Sequence, residues 1–489
     1  MSTNRQRQID EIINARKPMA QRAKEFIALF EQVEQGLATF ESFIKGYYAK
    51  PDFDLNTKAR LQELLPELDD IRIKLNRERE TLSLLSARFS RTTLNIGVLG
   101  RAGEGKSTFL QQVTGLDSKV IPAGEGFHCT GTTSIVVNHK VEDPYADIEF
   151  HTADSFLKEV IGPFYTELGL GVIPYSIEDF RETFPARHAA RKAELANDAT
   201  KCSQLDRIAE IHQNLRHYEP LLGRQRNERE TNIRSYIAQI DANGEKIWFW
   251  PAVRSATIYC TFPHADIGRI GIVDTPGLGD FISGAEQRLV ETIGMKLDIL
   301  LFVRRPKSRA IIEPQDTHLY NLVTGALPNL PLSRWAYFIV NDDTVNTAVA
   351  KSFLTELSKS NIRIRLATQA NFRDSNSVET ALSQILDDVA LNLAKVDNEL
   401  FENWKAGLSV IHTSLDHFAQ KAATVLPKAV ADPDRQLFRT LFNQLWDQLS
   451  TKFGSTIEKY WENRNIPDQA YLDRVSEIIE NLRNLDSLQ

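Results

Sequence analysis

The run Gly100-Arg101-Ala102-Gly103-Glu104-Gly105-Lys106-Ser107-Thr108 constrains this chain more than any other stretch. An apolar segment, 96–99, precedes it, and a helix-forming segment, 108–113, follows. The pattern GxxxxGK[ST] therefore stands in the strand-turn-helix setting that gives it meaning as a phosphate-binding loop. Glycines let successive backbone N–H groups turn inward onto a phosphate, and the start of the following helix adds partial positive charge. Lys106 is placed to reach β- and γ-phosphates, and the Ser107 hydroxyl to ligate Mg²⁺. The bland alternative is a glycine-rich turn with no ligand.

A chain of 489 residues is too long for one core and implies several domains. The formal charge of −7 leaves no global basic field, so no nucleic-acid partner is expected. Three cysteines, Cys129, Cys202 and Cys260, are odd in number and widely spaced, which suits a reducing cytoplasm rather than a disulfide framework. No apolar run approaches 18 residues, and the N-terminus lacks a signal-like apolar region, so secretion and membrane spanning are not expected.

Residues 1–90 read as a helical hairpin. Ile9, Ile13, Ala20, Ala23, Ile27, Phe30, Val33, Leu37, Phe40 and Ile44 recur at helical spacing. Pro18 is expected to start or kink the first segment. A break at 46–51 separates a second stripe, Leu61, Leu64, Leu68, Ile71, Leu75, Leu82, Leu85 and Phe89. Residues 91–375 read as an α/β domain, with strands at 94–100, 135–138, 147–150, 256–262, 269–273, 299–303, 336–340 and 362–367. Strands alternating with helices imply a mostly parallel, doubly wound sheet. A polar, helical insertion fills about 152–250. From 376 the chain reads as helix to residue 489, on the stripe Leu386, Val389, Leu393, Val396, Leu400, Trp404, Leu408, Ile411, Leu415 and Phe418. Further helix starts are expected at Asp432-Pro433 and Pro467. Neither helical arm can bury its stripe alone, so the two are expected to pack together as a bundle.

A second motif, Asp274-Thr275-Pro276-Gly277, closes the strand at 269–273, where open α/β sheets bind ligands. Asp274 there would hold Mg²⁺ through water, and the Gly277 N–H would meet a γ-phosphate. Alone, the tetrapeptide is an ordinary turn; behind a P-loop, it points to a nucleotide switch.

With these residues in place, the chain resembles the dynamin-like branch of large GTPases. The resemblance rests on GRAGEGKST, on CTGTTS before the strand at 135–138, and on DTPGLGD, with a long helical gap between the last two. It implies an enzyme that binds and hydrolyses GTP to GDP with Mg²⁺ and relays the nucleotide state to its arms. It also implies self-association through the nucleotide face, or a protein partner met through the arms. By this resemblance Thr132 or Thr133, the latter preferred, is the switch threonine that ligates Mg²⁺ beside Ser107 and Asp274. Lys106, Thr133, Asp274, Gly277 and Arg101 then form the catalytic set, and the whole run from Gly100 to Thr108 cradles the phosphates. Peripheral membrane contact is left open, since no apolar insertion loop is recognisable. A slow, nucleotide-gated module acting on a protein partner is the rival reading.

Two departures matter. Where the family carries Asn/Thr-Lys-x-Asp for the base, this chain has Asn341-Asp342-Asp343-Thr344. The stacking lysine is missing and the acid comes one position early, so Asn341 and Asp343 are expected to prefer guanine only modestly. The segment 367–371 is a candidate final base-contacting loop. Gly103 also stands where some relatives place a side chain that stabilises the transferring phosphoryl group, worth ~10³–10⁵ in rate. Arg101 and the cluster Arg304-Arg305-Pro306-Lys307-Ser308-Arg309, which reads otherwise as a solvated basic loop, are the candidates to replace it. In the insertion, 181–240 carries eleven Lys/Arg against eight Asp/Glu, which reads either as a solvated surface or as a phospholipid or nucleic-acid contact. Trp248-Phe249-Trp250-Pro251 reads either as a membrane or partner patch or as the anchor that returns the insertion to the sheet.

Overall fold

The structure is a computed structural model that describes residues 2–425, apart from 49–54, 102, 118–119, 122–133, 241–244, 264–268, 275–289, 291, 295, 307–309, 328–329 and 344. The helix starts expected at 432 and 467 lie outside the described residues. The chain divides into two units. One, mixed α/β, takes Met1–Glu11 and Thr92–Ala390; the other, helical, takes Ile12–Arg91 and the chain from Leu391 onward.

In the helical unit, α1 (Ser2–Tyr48, whose first residues belong to the other unit), α2 (Leu55–Gln62) and α3 (Leu65–Phe89) bury the expected stripes almost residue for residue. One position differs. Phe26 is buried (3 % exposed) in place of Ile27, because the stripe 23-26-30-33-37-40-44 alternates steps of three and four and Ile27 falls one residue off it. The Phe26 ring meets Trp404 edge-on, 5.3 Å between centroids, and Phe40 meets Phe418 the same way at 5.6 Å. Pro18 does not start the helix: α1 runs through it. The backbone bond it forfeits is outweighed by apolar burial on both sides, at Ile13, Ala20 and Ala23.

The α/β unit is built on a nine-stranded sheet. In chain order its elements are β1 (Leu94–Leu99), α4 (Lys106–Thr114), β2 (Ser134–Asn138), β3 (Tyr145–Phe150), α5 (Gly162–Leu168), α6 (Ile177–Glu194), α7 (Ala199–Gln213) and β4 (Gln225–Arg229). There follow α8 (Glu230–Ile237), β5 (Val253–Cys260), β6 (Ile270–Asp274), β7 (Ile299–Arg304), α9 (Pro314–Thr324), β8 (Ala336–Asn341), α10 (Thr347–Lys359) and β9 (Leu366–Ala370). The last helix, α11 (Ser375–Val425), starts in this unit and continues into the helical one. Strand order is β4-β3-β5-β2-β6-β1-β7-β8-β9. From β6 through β9 every pairing is parallel, and β1, β7 and β8 are buried along their whole length, as strands covered on both faces must be. Antiparallel pairing enters where β2 meets β6 and where β3 meets β5 and β4.

Two strands depart from expectation. β9 begins at Leu366 rather than at 362, because the N–H of Arg363 is spent on the Tyr320 hydroxyl of α9, at 3.1 Å, before the ladder starts. β4, inside the insertion, had no apolar alternation to announce it: Gln-Arg-Asn-Glu-Arg is polar and largely exposed, as suits a sheet edge. Of the two readings of the tryptophan patch, the described contacts match the anchor. Trp250 is buried just before β5 under the Arg207 guanidinium, 4.8 Å from the ring centroid, and Phe249 packs on Tyr236 at 5.7 Å.

Candidate nucleotide site

Parallel pairing brings the carboxyl ends of β6, β1, β7, β8 and β9 to one edge of the sheet. Val98 of β1 is level with Asp274, Leu99 with Phe302, Arg304 with Val340, and Asn341 with Ala370. Ser134 opens β2 opposite Asp274, so an antiparallel strand enters the sheet at this edge.

The P-loop lies at the centre of that edge. Gly103 and Gly105 both take left-handed backbone, at φ +77° and +96°. At Gly105 a side chain is excluded twice: the backbone is unfavourable for L-residues, and a Cβ would stand 2.5 Å from the Asn341 amide nitrogen. At Gly103 a Cβ would meet nothing within 4 Å, which leaves room for a group supplied from elsewhere. Lys106 opens α4, and its ammonium donates to the carbonyls of Gly100 at 2.7 Å and Arg101 at 3.0 Å. It thus curls over its own loop. Ser107 and Thr108 follow in the first turn, both partly exposed.

Sequence reasoning did not foresee the fate of Glu104. Its carboxylate is buried, 3 % exposed for the residue, and accepts from the Arg304 guanidinium and the Arg305 N–H. Burial is the main influence and raises its pKa, with the Arg305 N–H and the Arg304 charge pulling the other way. Arg304 also reaches Glu313 at 2.8 Å and Asp316 at 3.2 Å. Arg101 joins the same group, hydrogen-bonded to Glu313 and 3.8 Å from Asp316. That contact holds the Glu313 carboxyl below the usual range. Glu313 and Asp316 form the capping box of α9 with Pro314 at its first turn, a signal legible in Glu-Pro-x-Asp. Arg304 is therefore not a group for delivery to a neighbouring molecule. Only 7 % of its side chain is exposed, and withdrawing it would take its charge away from three carboxylates at once, the buried Glu104 among them. Arg101, 29 % exposed, is the freer of the two.

The β8 end supplies a second anchor. Asn341 donates through its side-chain amide to the Glu104 carbonyl at 3.2 Å and accepts from the Phe372 N–H at 3.4 Å. Asp342 accepts from the Thr347 hydroxyl at 2.7 Å. Asp343 pairs with Arg305, and its other oxygen accepts from the N–H groups of Val345 and Asn346, each at 3.1 Å. Burial works to raise the Asp343 pKa, but Arg305 and those two N–H groups overcome it and hold the carboxyl low. In 367–371 only Asn371 is past the strand; its N–H is taken by Ser377 at 3.0 Å.

Of the sequence candidates, Gly100, Arg101, Gly103, Glu104, Gly105, Lys106, Ser107, Thr108, Asn341 and Asp343 stand at this edge, as does the backbone of Asp274. Ala102, Thr132, Thr133, Gly277 and the side chain of Asp274 lie outside what the structure describes. Behind Arg101 a small apolar cleft opens between β7, β8, α9 and α10, lined in part by Phe302, Leu319, Phe338 and Phe353. Gly100 and Arg101 line it as well, so it adjoins the start of the phosphate loop, while Lys106 does not reach it. Among the described residues no helix is long and apolar enough to cross a membrane.

No protein-family model matches the sequence, and no curated protein matches it. Two solved structures of an oligomerised bacterial dynamin pair, described as a mechanism for long-range sensing and tethering of membranes, are similar to this chain. They are 14 % and 15 % identical to it, with TM-scores of 0.36 and 0.38, and each alignment covers 94 % of this chain and 67 % of theirs.

Proposed function

We propose that this chain binds GTP and hydrolyses it to GDP with Mg²⁺, and that nucleotide state controls its helical arms, 1–90 and 376–489, or its self-association. The observation that carries the reading is the P-loop itself. Left-handed Gly105 turns the backbone into the N-terminus of α4, Lys106 rests on two loop carbonyls, and Asp274 ends the strand paired to β1. A phosphate chain entering the loop would exchange those two carbonyls for stronger, charged acceptors of the Lys106 ammonium. Ser107 and Asp274 offer hydroxyl and carboxylate oxygen, the hard donors that suit Mg²⁺, and Thr133 is the proposed third. The ion, when bound, would neutralise charge on the β- and γ-phosphates.

Phosphoryl transfer depends on positioning and on positive charge near the transferring group. Gly103 brings none, and Arg101 is tied to Glu313. We therefore assign Arg101 to charge stabilisation only after it leaves Glu313, either within its own site or across a pair of molecules facing nucleotide to nucleotide. The same tie favours slow turnover by the isolated chain, as the partner-gated rival requires. GTP turnover per molecule, followed over a hundredfold protein range for wild type and Arg101→Ala, separates the two. Turnover that climbs with concentration and collapses in the variant supports the self-stimulated enzyme. Flat, slow turnover that is indifferent to the change supports the partner-gated module.

A further inference from the structure

The lysine that would stack beside the base is missing from the β8 end, and its place is taken by Asp342, engaged with Thr347. A cation nevertheless stands there, brought by the neighbouring strand. Arg305 follows β7, and its Nη2 donates to Asp343 Oδ2 at 2.5 Å. The pairing is built in from several sides. The Arg305 N–H donates to Glu104, and the next residue, Pro306, gives its carbonyl to the Asn346 amide at 2.9 Å. That amide also donates to the Asn341 carbonyl at 3.1 Å, while Asn346 Oδ1 accepts the Asp343 N–H at 2.7 Å. Asn346, 4 % exposed, thus locks the loops after β7 and β8 together. The two paired side chains reach solvent, 28 % exposed for Arg305 and 12 % for Asp343.

We propose that Arg305 and Asp343 act as one specificity-determining pair that reads a 6-oxopurine base, the guanidinium donating to O6 and the carboxylate accepting from N1–H. The inference rests on the nucleotide-binding reading above. A donor beside an acceptor matches guanine, which offers O6 as acceptor next to N1–H and N2–H as donors. Adenine reverses that order with its 6-amino donor and N1 acceptor, so both contacts would become repulsive. Arginine suits the task because its planar fork can serve Asp343 and a base oxygen at once, as arginine does on guanine elsewhere. One Asp343 oxygen is already committed to the Val345 and Asn346 N–H groups, so the oxygen beside Arg305 is the one that faces the base.

The test is a set of dissociation constants for GTP, ITP, XTP, 2,6-diaminopurine riboside triphosphate and ATP, on wild type, Arg305→Ala and Asp343→Asn. Wild type should favour GTP over ATP and over the diaminopurine nucleotide by ~10-fold or more, since both lack O6. Arg305→Ala should shrink that ratio to about twofold, mainly by weakening GTP and ITP while ATP changes little. Asp343→Asn, which is nearly isosteric but uncharged, should weaken GTP, ITP and XTP together by ~10-fold relative to ATP. If Arg305→Ala weakens all five nucleotides in parallel, the arginine only supports the loop and the proposal is overturned. An unchanged GTP-to-ATP ratio in Asp343→Asn overturns it as well. If wild type binds no triphosphate, the nucleotide reading itself fails and the proposal with it. If wild type binds GTP and ATP equally, the nucleotide reading survives and the base-reading pair does not.

Discussion

Among the described residues, two ion networks reach into the interior, one in each unit, and they differ in kind. In the helical unit Arg16 and Arg88 converge on Asp397, at 2.7 Å and 3.2 Å, with all three side chains no more than 3 % exposed. In the α/β unit Arg101 and Arg304 meet Glu104, Glu313 and Asp316, and exposure runs from 4 % at Glu104 to 36 % at Glu313. The first is closed on every side and joins α1, α3 and α11 within one bundle. The second is graded, closed at Arg304 and open at Arg101, and two of its members, Arg101 and Glu104, lie inside the phosphate loop. A buried charge pair is weak evidence for function, because desolvation cancels much of its attraction. A network that opens toward a ligand loop is better evidence, since one partner can leave while the others stay compensated.

Asp397→Ala should produce the largest change. It leaves two guanidinium groups without the carboxylate they share, at a cost of about 3–5 kcal/mol, read as a lower urea midpoint. Nucleotide affinity measured where both proteins remain folded should not change, and a parallel loss of affinity would erase the distinction between the networks. Next in size, Asp274→Ala or Thr133→Ala should lower GTP turnover ~100-fold, close to 3 kcal/mol, while affinity stays within a few-fold. Full activity in both would remove the switch assignment. Glu313→Gln sharpens the contrast from the other side. It loosens Arg101, and turnover should rise by at most about fivefold, the worth of a half-exposed pair. The smallest effect is a pH dependence. Because the Asp343 pKa is lowered in the folded protein, its contribution to stability is present above the ordinary aspartate value and is lost as pH falls through the lowered one. The stability gap between wild type and Arg305→Ala should therefore close as the medium is acidified below the usual aspartate range, and a gap independent of pH would contradict the pairing.

The two units were unequally legible. Helical stripes state their burial in the sequence, so the stripes of the described helices could be read off directly, and Phe26 displaced Ile27 only because a one-residue offset is within the tolerance of a helical period. The strands β1, β7 and β8, apolar but for Asn95, Arg304, Tyr337 and Asn341, and the loop between β1 and α4 were equally plain. What stayed hidden depends on partners distant in the chain. Arg101 and Glu313 are 212 positions apart, and Glu104 and Arg304 are 200, so no local pattern joins them. Arg305 stood out in the sequence only as a candidate for the phosphoryl group, and its pairing with Asp343 emerged once the parallel register set β7 beside β8. β4 was invisible for the opposite reason, since an exposed edge strand needs no apolar residues and carries none.

Nucleotide binding by this chain requires a working phosphate loop, and calorimetric titration of Mg–GTP into wild type and Lys106→Ala measures whether it has one. Removing the ammonium deletes the loop's charge-assisted bonds to the phosphates, worth about 3 kcal/mol, so the variant should bind ~100-fold more weakly with its fold intact. Wild type should show one saturable site per chain. Equal affinity in the two proteins, or no heat of binding in wild type, would contradict the central claim.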